Sequence, residues 1–225
     1  MKKGVAIGGL ILVTVIWGGG FVASDMALES MKPFQIMMVR FLLASVLMGL
    51  VSMGQRKKEA KIENRAGAIK AGMLMGLTLF AGFAFQIFLT GEFVKKYPAA
   101  VLNLVQMFTA FVLSTISMFV FGETDFQVTT KGWLSVLYLA VISTTICYLL
   151  QTACQKYVEE TKAAIILCME SVFGTVFSII ILHEVITPRM VVGCIIILIA
   201  VIISNLSESG GEGNGENLQK AGETA

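Results

Sequence analysis

Long uncharged runs separated by short charged ones organise the chain. A helix needs about 20 mostly apolar residues to cross the hydrocarbon core of a bilayer. Residues 4–24, 71–91, 97–122, 132–155 and 190–207 hold no charged side chain, and 33–51 and 163–182 hold one each, Arg40 and Glu170. The runs are continuous and do not alternate between apolar and polar, so they predict helices and not barrel strands. Pro33, Pro98 and Pro188 each stand at the start of a run. Proline is tolerated in a first helical turn, where its missing N–H has no partner in any case, so the prolines mark span starts. The expected fold is an all-α, polytopic membrane protein with about seven transmembrane helices. Residues 1–24 are not read as a cleaved leader, because their apolar core is longer than the 7–15 residues of a signal sequence.

Within the runs, small and polar residues recur every three or four positions, which is one helix face. Thr78, Gly82, Gln86 and Thr90 form one such stripe. Asn103, Gln106, Ala110 and Ser114 form a second, Ser143, Cys147 and Gln151 a third, and Glu170, Gly174 and Ser178 a fourth. Lipid accepts exposed polar groups poorly, so these faces should turn inward. One stripe alone is enough to glue two helices; four in one bundle point to a polar pathway. A charge at the centre of a spanning helix costs roughly 2.5–3.5 kcal/mol on insertion scales and needs a partner or a purpose. Arg40, about a third of the way along its run, could snorkel to the interface, and Glu170 could pair with Arg40, contact a solute or carry a proton. The candidate pathway residues are Arg40, Gln86, Asn103, Gln106, Gln151 and Glu170.

Composition narrows the function. Of 225 residues, 56% are hydrophobic and 14% charged, against roughly 25% charged in soluble domains. Mean hydropathy is +0.82. A net charge of +2 provides no basic field for nucleic acid. Cys147, Cys154, Cys168 and Cys194 lie in apolar runs without a C-x-x-C pair and are read as small buried residues. No metal-ligand set, nucleophile–base pair or nucleotide-binding loop is evident, so neither an enzyme nor a cofactor is expected. Residues 208–225 are rich in Gly, Glu and Asn and should form a disordered tail.

Charge also orients the chain, with one conflict. Lys2, Lys3 and the loop Arg56, Lys57, Lys58, Lys61, Arg65 and Lys70 flank the first two spans and belong in the cytoplasm. If every later span crosses, Lys95 and Lys96 emerge outside, against the rule, and so does the tail. If the third span is re-entrant, both stay inside and six spans cross. Residues 71–91 are long enough to cross, so a full crossing is the expectation.

Weak internal echoes suggest a duplicated unit. Pro33 to Ala44 lies over Pro98 to Ala110, and Phe83-Ala84-Phe85-Gln86 over Tyr148-Leu149-Leu150-Gln151. Specific motifs carry this further. Ile16-Trp17-Gly18-Gly19-Gly20-Phe21-Val22-Ala23, then Pro33 and Val39-Arg40-Phe41, resembles the opening of an EamA-type transporter of the drug/metabolite transporter superfamily. Tyr148 to Tyr157, Ala163-Ala164, Leu167, Glu170-Ser171-Val172-Phe173-Gly174, Glu184, Pro188-Arg189 and Gly193 is similar to that family's closing repeat. The resemblance implies ten spans in two inverted five-span repeats, so this chain is expected to lack about three central spans. It divides into 1–89, a partial first repeat, 90–206, the second repeat, and 207–225, the tail. The third span then reads as a hybrid, its front like family span three and its back like family span six.

The resemblance implies a secondary transporter, gradient-driven or facilitative, that moves a small organic metabolite or drug-like solute across the plasma membrane. Its partners would be the lipid bilayer, the solute and, because the inverted pair is incomplete, a second copy in a homodimer. The alternative is a non-transporting seven-span protein or a defective remnant, motivated by the missing spans.

Overall fold

The computed structural model describes residues 2–55, 64–81 and 83–203, with side chains described outside 55, 80–81 and 83–86. The expected disordered tail, most of the basic loop and the Gln86 side chain lie outside the described residues. The described residues form helices: α1 (Lys3–Leu28), α2 (Pro33–Gln55), α3 (Arg65–Ala81), α4 (Phe83–Val94), α5 (Ala99–Val120), α6 (Thr130–Gln155), α7 (Glu160–Leu182) and α8 (Pro188–Ile203). Five of them, α1, α2, α5, α6 and α7, are long and apolar enough to cross a membrane. The chain is a polytopic helical membrane protein, as its hydropathy predicts.

Pairwise packing orders the bundle. The stacked rings of Phe34 and Phe121, 5.0 Å apart, join the start of α2 to the end of α5. The Phe34 amide and the Gln35 side chain reinforce this by donating to the Glu123 carboxylate and to the Glu123 and Asp125 carbonyls. At the same end, Lys131 pairs with Glu29 at 2.6 Å, joining the start of α6 to the end of α1. At the opposite end Gly9 lies against Cys154, so α6 runs antiparallel to α1. The apolar core lies between α1, α2, α5, α6 and the start of α7, around Leu10, Trp17, Phe41, Met48, Met107, Tyr148 and Leu167.

The third predicted span does not run from end to end. A Cβ on Gly67 would strike the Tyr97 hydroxyl, one on Gly72 would lie 2.6 Å from Val105, and one on Gly76 would lie 2.6 Å from the Gln106 carbonyl. Thus α3 advances beside α5 in the same direction. Then α4 returns: Ala71 and Met75 pack with Leu89, Leu102, Phe93 and Tyr97 in one cluster. Its exit residue Lys95 binds Glu160 at the start of α7 at 2.6 Å. Both ends of the α3–α4 hairpin therefore lie at one end of the bundle. With 12 residues, α4 is about 18 Å long, well short of the roughly 30 Å a crossing needs. This corrects the expected full crossing, and the charges agree with the correction. Lys2, Arg65, Lys70, Lys95, Lys96 and Lys156 now share one end, while Asp25, Glu29, Glu123, Asp125 and Glu184 sit toward the other.

Beyond its first half α7 is peripheral, and so is α8. Only 17% of the α7 span is buried, against 50% for α6, and most of α8 is exposed. Cys147 and Cys154 are buried as expected, but Cys168 on α7 is exposed and Cys194 on α8 half-buried, because their helices lie at the rim.

Candidate functional site

Two glycines let α1 reach its neighbours. A Cβ on Gly18 would lie 2.6 Å from the Phe173 Cβ, and one on Gly20 would lie 2.9 Å from the Ser143 Oγ. So α1 touches α7 through Gly18 and α6 through Gly20. Between these contacts Trp17 donates its indole N–H to the Ser143 carbonyl at 2.6 Å. Its ring lies 5.3 Å from that of Tyr148, tilted by 56°. The Ser143 carbonyl belongs to a π-helical stretch of α6, Leu139–Ile146. Such wide turns shift carbonyls out of the α-helical pattern and are frequent at functional sites.

These helices line a partly open cavity of about 300 Å³. Trp17, Phe21, Phe41 and Tyr148 supply aromatic wall, and Ser24 and Ser143 supply hydroxyls. Arg40 on α2 and Glu170 on α7 both line it. Arg40 donates its Nε–H to the Thr144 hydroxyl, and its guanidinium lies 5.7 Å from the Phe41 ring centre, within reach of a cation–π contact. Glu170 begins the helical segment Glu170–Phe177, just after a local turn at Cys168 and Met169. Arg40 and Glu170 carry opposite formal charges. Among the described residues they form no direct ion pair, and Glu170 has no hydrogen-bond partner.

The cavity thus brings together two of the residues singled out in the sequence. Asn103, Gln106 and Gln151 lie elsewhere, fully buried where α5 meets α6. Asn103 donates to the Tyr148 carbonyl and to the Thr152 hydroxyl. Sequence reasoning did not single out Trp17, Tyr148, Ser143 or Thr144 as site residues. Trp17 stands in the W-G-G-G motif and Ser143 in a polar stripe, so those two left a signal. Thr144 left none, because only the π-helical turn brings it toward Arg40.

The sequence matches the EamA-like transporter family twice, over residues 4–88 and again over 70–206. The two matches overlap on 70–88, most of the α3–α4 hairpin. The chain is also similar to an uncharacterised transporter of Archaeoglobus fulgidus, with 27% identity over 263 aligned positions that cover 88% of this chain and 85% of the relative. That alignment is longer than the 225-residue chain, so part of the relative lies opposite gaps in this chain. No solved structure matches it.

Proposed function

The chain belongs to the EamA-like transporter family, and from that premise we propose that it is a secondary transporter of a small organic solute, gradient-driven or facilitative, in the plasma membrane. The observation that carries the reading is the arrangement of Arg40 and Glu170 on one aromatic-walled cavity without a direct ion pair. In a low-dielectric bundle two unpaired opposite charges are costly to hold, and a solute that met both would be bound strongly. A cavity of about 300 Å³ falls at the small end of ligand sites. Its walls suit a compact solute with an apolar body and charged groups of both signs, the anionic one toward Arg40 and the cationic one toward Glu170.

The test is flux in vesicles reconstituted with the purified protein, using radiolabelled small zwitterions, anions and cations in parallel. Saturable uptake of a zwitterion, lost in Arg40→Ala, is the expected result. Flux of an anion or cation alone would refute the charge reading, and absence of any flux would refute transport. The second reading, a non-transporting remnant, draws on the relative's extra residues opposite gaps in this chain. The same experiment separates the two.

A further inference from the structure

Polar side chains continue beyond the cavity, toward the basic end of the bundle. Asn103 and Gln106 on α5 and Gln151, Thr152 and Gln155 on α6 are each at most 1% exposed. Asn103 donates to the Thr152 hydroxyl, which in turn donates its one proton to the Tyr148 carbonyl at 2.6 Å. Gln151 is different: neither its Nε2 nor its Oε1 has a hydrogen-bond partner. Gln155 donates over a long 3.4 Å to the Ile87 carbonyl of α4, and its Oε1 has no partner. A buried amide without partners destabilises a fold, and an apolar side chain of the same shape would pack there without that penalty. The two residues also sit in order. Tyr148 lines the cavity, Gln151 follows about one turn later, Gln155 one turn after that, and then α6 ends beside Lys156.

We propose that the inner half of the solute path runs between α4, α5 and α6 past Gln151 and Gln155, and that this structure holds it closed. The proposal rests on the transporter reading above. Primary amides offer both a donor and an acceptor and carry no charge. They serve the polar groups of a passing solute, and the waters that accompany it, without holding either in a charged trap. The wall of this path is the α3–α4 hairpin, which reaches only partway through the bundle. At its exposed end the contact between Lys95 and Glu160 ties it to α7.

Accessibility of single cysteines tests the path without knowledge of the solute. In a full-length protein with its four native cysteines replaced, Gln151→Cys, Gln155→Cys and the outward-facing Ala153→Cys are each exposed to methanethiosulfonate-ethylammonium in inside-out vesicles. The path predicts labelling at 151 and 155 about tenfold faster than at 153. Equal, slow labelling at all three positions in a protein that transports would overturn the path and leave the transporter reading standing. Because the cysteine-free background could fold poorly, Gln151→Leu in the otherwise native chain is the companion test. Thermal stability in detergent at or above that of the wild type, with flux down about tenfold, is expected. Unchanged flux, or a loss of stability that accounts for the loss of flux, would assign Gln151 a purely structural role. A wild-type protein that moves no solute overturns both readings.

Discussion

Gly18 and Glu170 show how single residues act on the cavity, one through shape and the other through charge. Gly18 faces the backbone of Gly174 at 2.8 Å from its would-be Cβ, as well as the Phe173 side chain. Backbone cannot move aside as a flexible side chain would, so Gly18→Val should overpack the α1–α7 contact and cost about 1–3 kcal/mol. A lower melting temperature of the purified protein in detergent checks this. Glu170 is half-buried and its side chain makes no hydrogen bond among the described residues, so its substitution should spare the fold. Glu170→Gln and Glu170→Leu should both reach the membrane at normal abundance, with flux reduced about tenfold or more. Normal flux in both would remove Glu170 from the site. On the opposite wall, Arg40→Lys should fail to restore flux. A lysine ammonium lacks the planar fork that lets Arg40 bind Thr144 through Nε and keep its other donors for the cavity.

At the scale of the element, the α3–α4 hairpin decides the topology. Its two ends meet at Tyr97, so Lys95 and Lys96 lie on the same side as Lys2, Arg65 and Lys70. If α8, whose uncharged run continues to residue 207, crosses as the sixth span, the tail beyond it should then be cytoplasmic. A single cysteine in the tail, probed with an impermeant reagent on intact cells, should stay protected until the cells are opened. Labelling on intact cells would restore the seven-crossing arrangement. Contact with the Glu160 carboxylate raises the pKa of the Lys95 ammonium above its ordinary value. The folded state therefore holds this proton more tightly than the unfolded chain, and what the contact contributes is present below the ordinary lysine pKa and lost as pH rises through the raised one. If this contact ties the hairpin down, Lys95→Glu should speed cysteine labelling at 151, and the double variant Lys95→Glu with Glu160→Lys should slow it again. Equal labelling in all three backgrounds would leave the contact without a role in closure.

At the scale of the whole molecule, the exposed apolar surface is uneven. Ile180, Ile196 and Ile203 on α7 and α8 are each about 60% exposed, and Ser171 and Thr175 on α7 lie outside the core as well. Apolar side chains are content in lipid, but a helix face with small hydroxyl residues packs best against another helix. These residues lie on the side of α7 and α8. We propose that a second copy covers this side and that the homodimer is the transporting unit. Crosslinking through Cys168, which is exposed on α7, should trap a dimer in native membranes. A monomer with full flux in vesicles holding one copy each would contradict the proposal.

Hydropathy alone determined that this is a helical membrane protein and where its long helices lie. Crossing a bilayer is a local requirement: about 20 apolar residues in a row satisfy it whatever the rest of the chain does. Periodicity likewise determined that Asn103, Gln106, Ser114, Ser143 and Gln151 would be buried, because lipid rejects a polar face. The W-G-G-G motif and the closing repeat sufficed to identify the family. Tertiary structure decided what depends on contacts between distant segments. Residues 71–91 are long enough to cross, yet packing of α3 along α5 and of α4 back toward Glu160 folds them into a hairpin. The charges of Lys95 and Lys96 hinted at this, but length argued the other way, and only the neighbours settle such a balance. Arg40 and Glu170 were legible as the two charges inside spans. That they share a cavity without direct contact depends on the close approach of α1 at Gly18 and Gly20 and on the π-helical turn that presents Thr144. Neither is encoded in any one segment; both arise from how three helices meet.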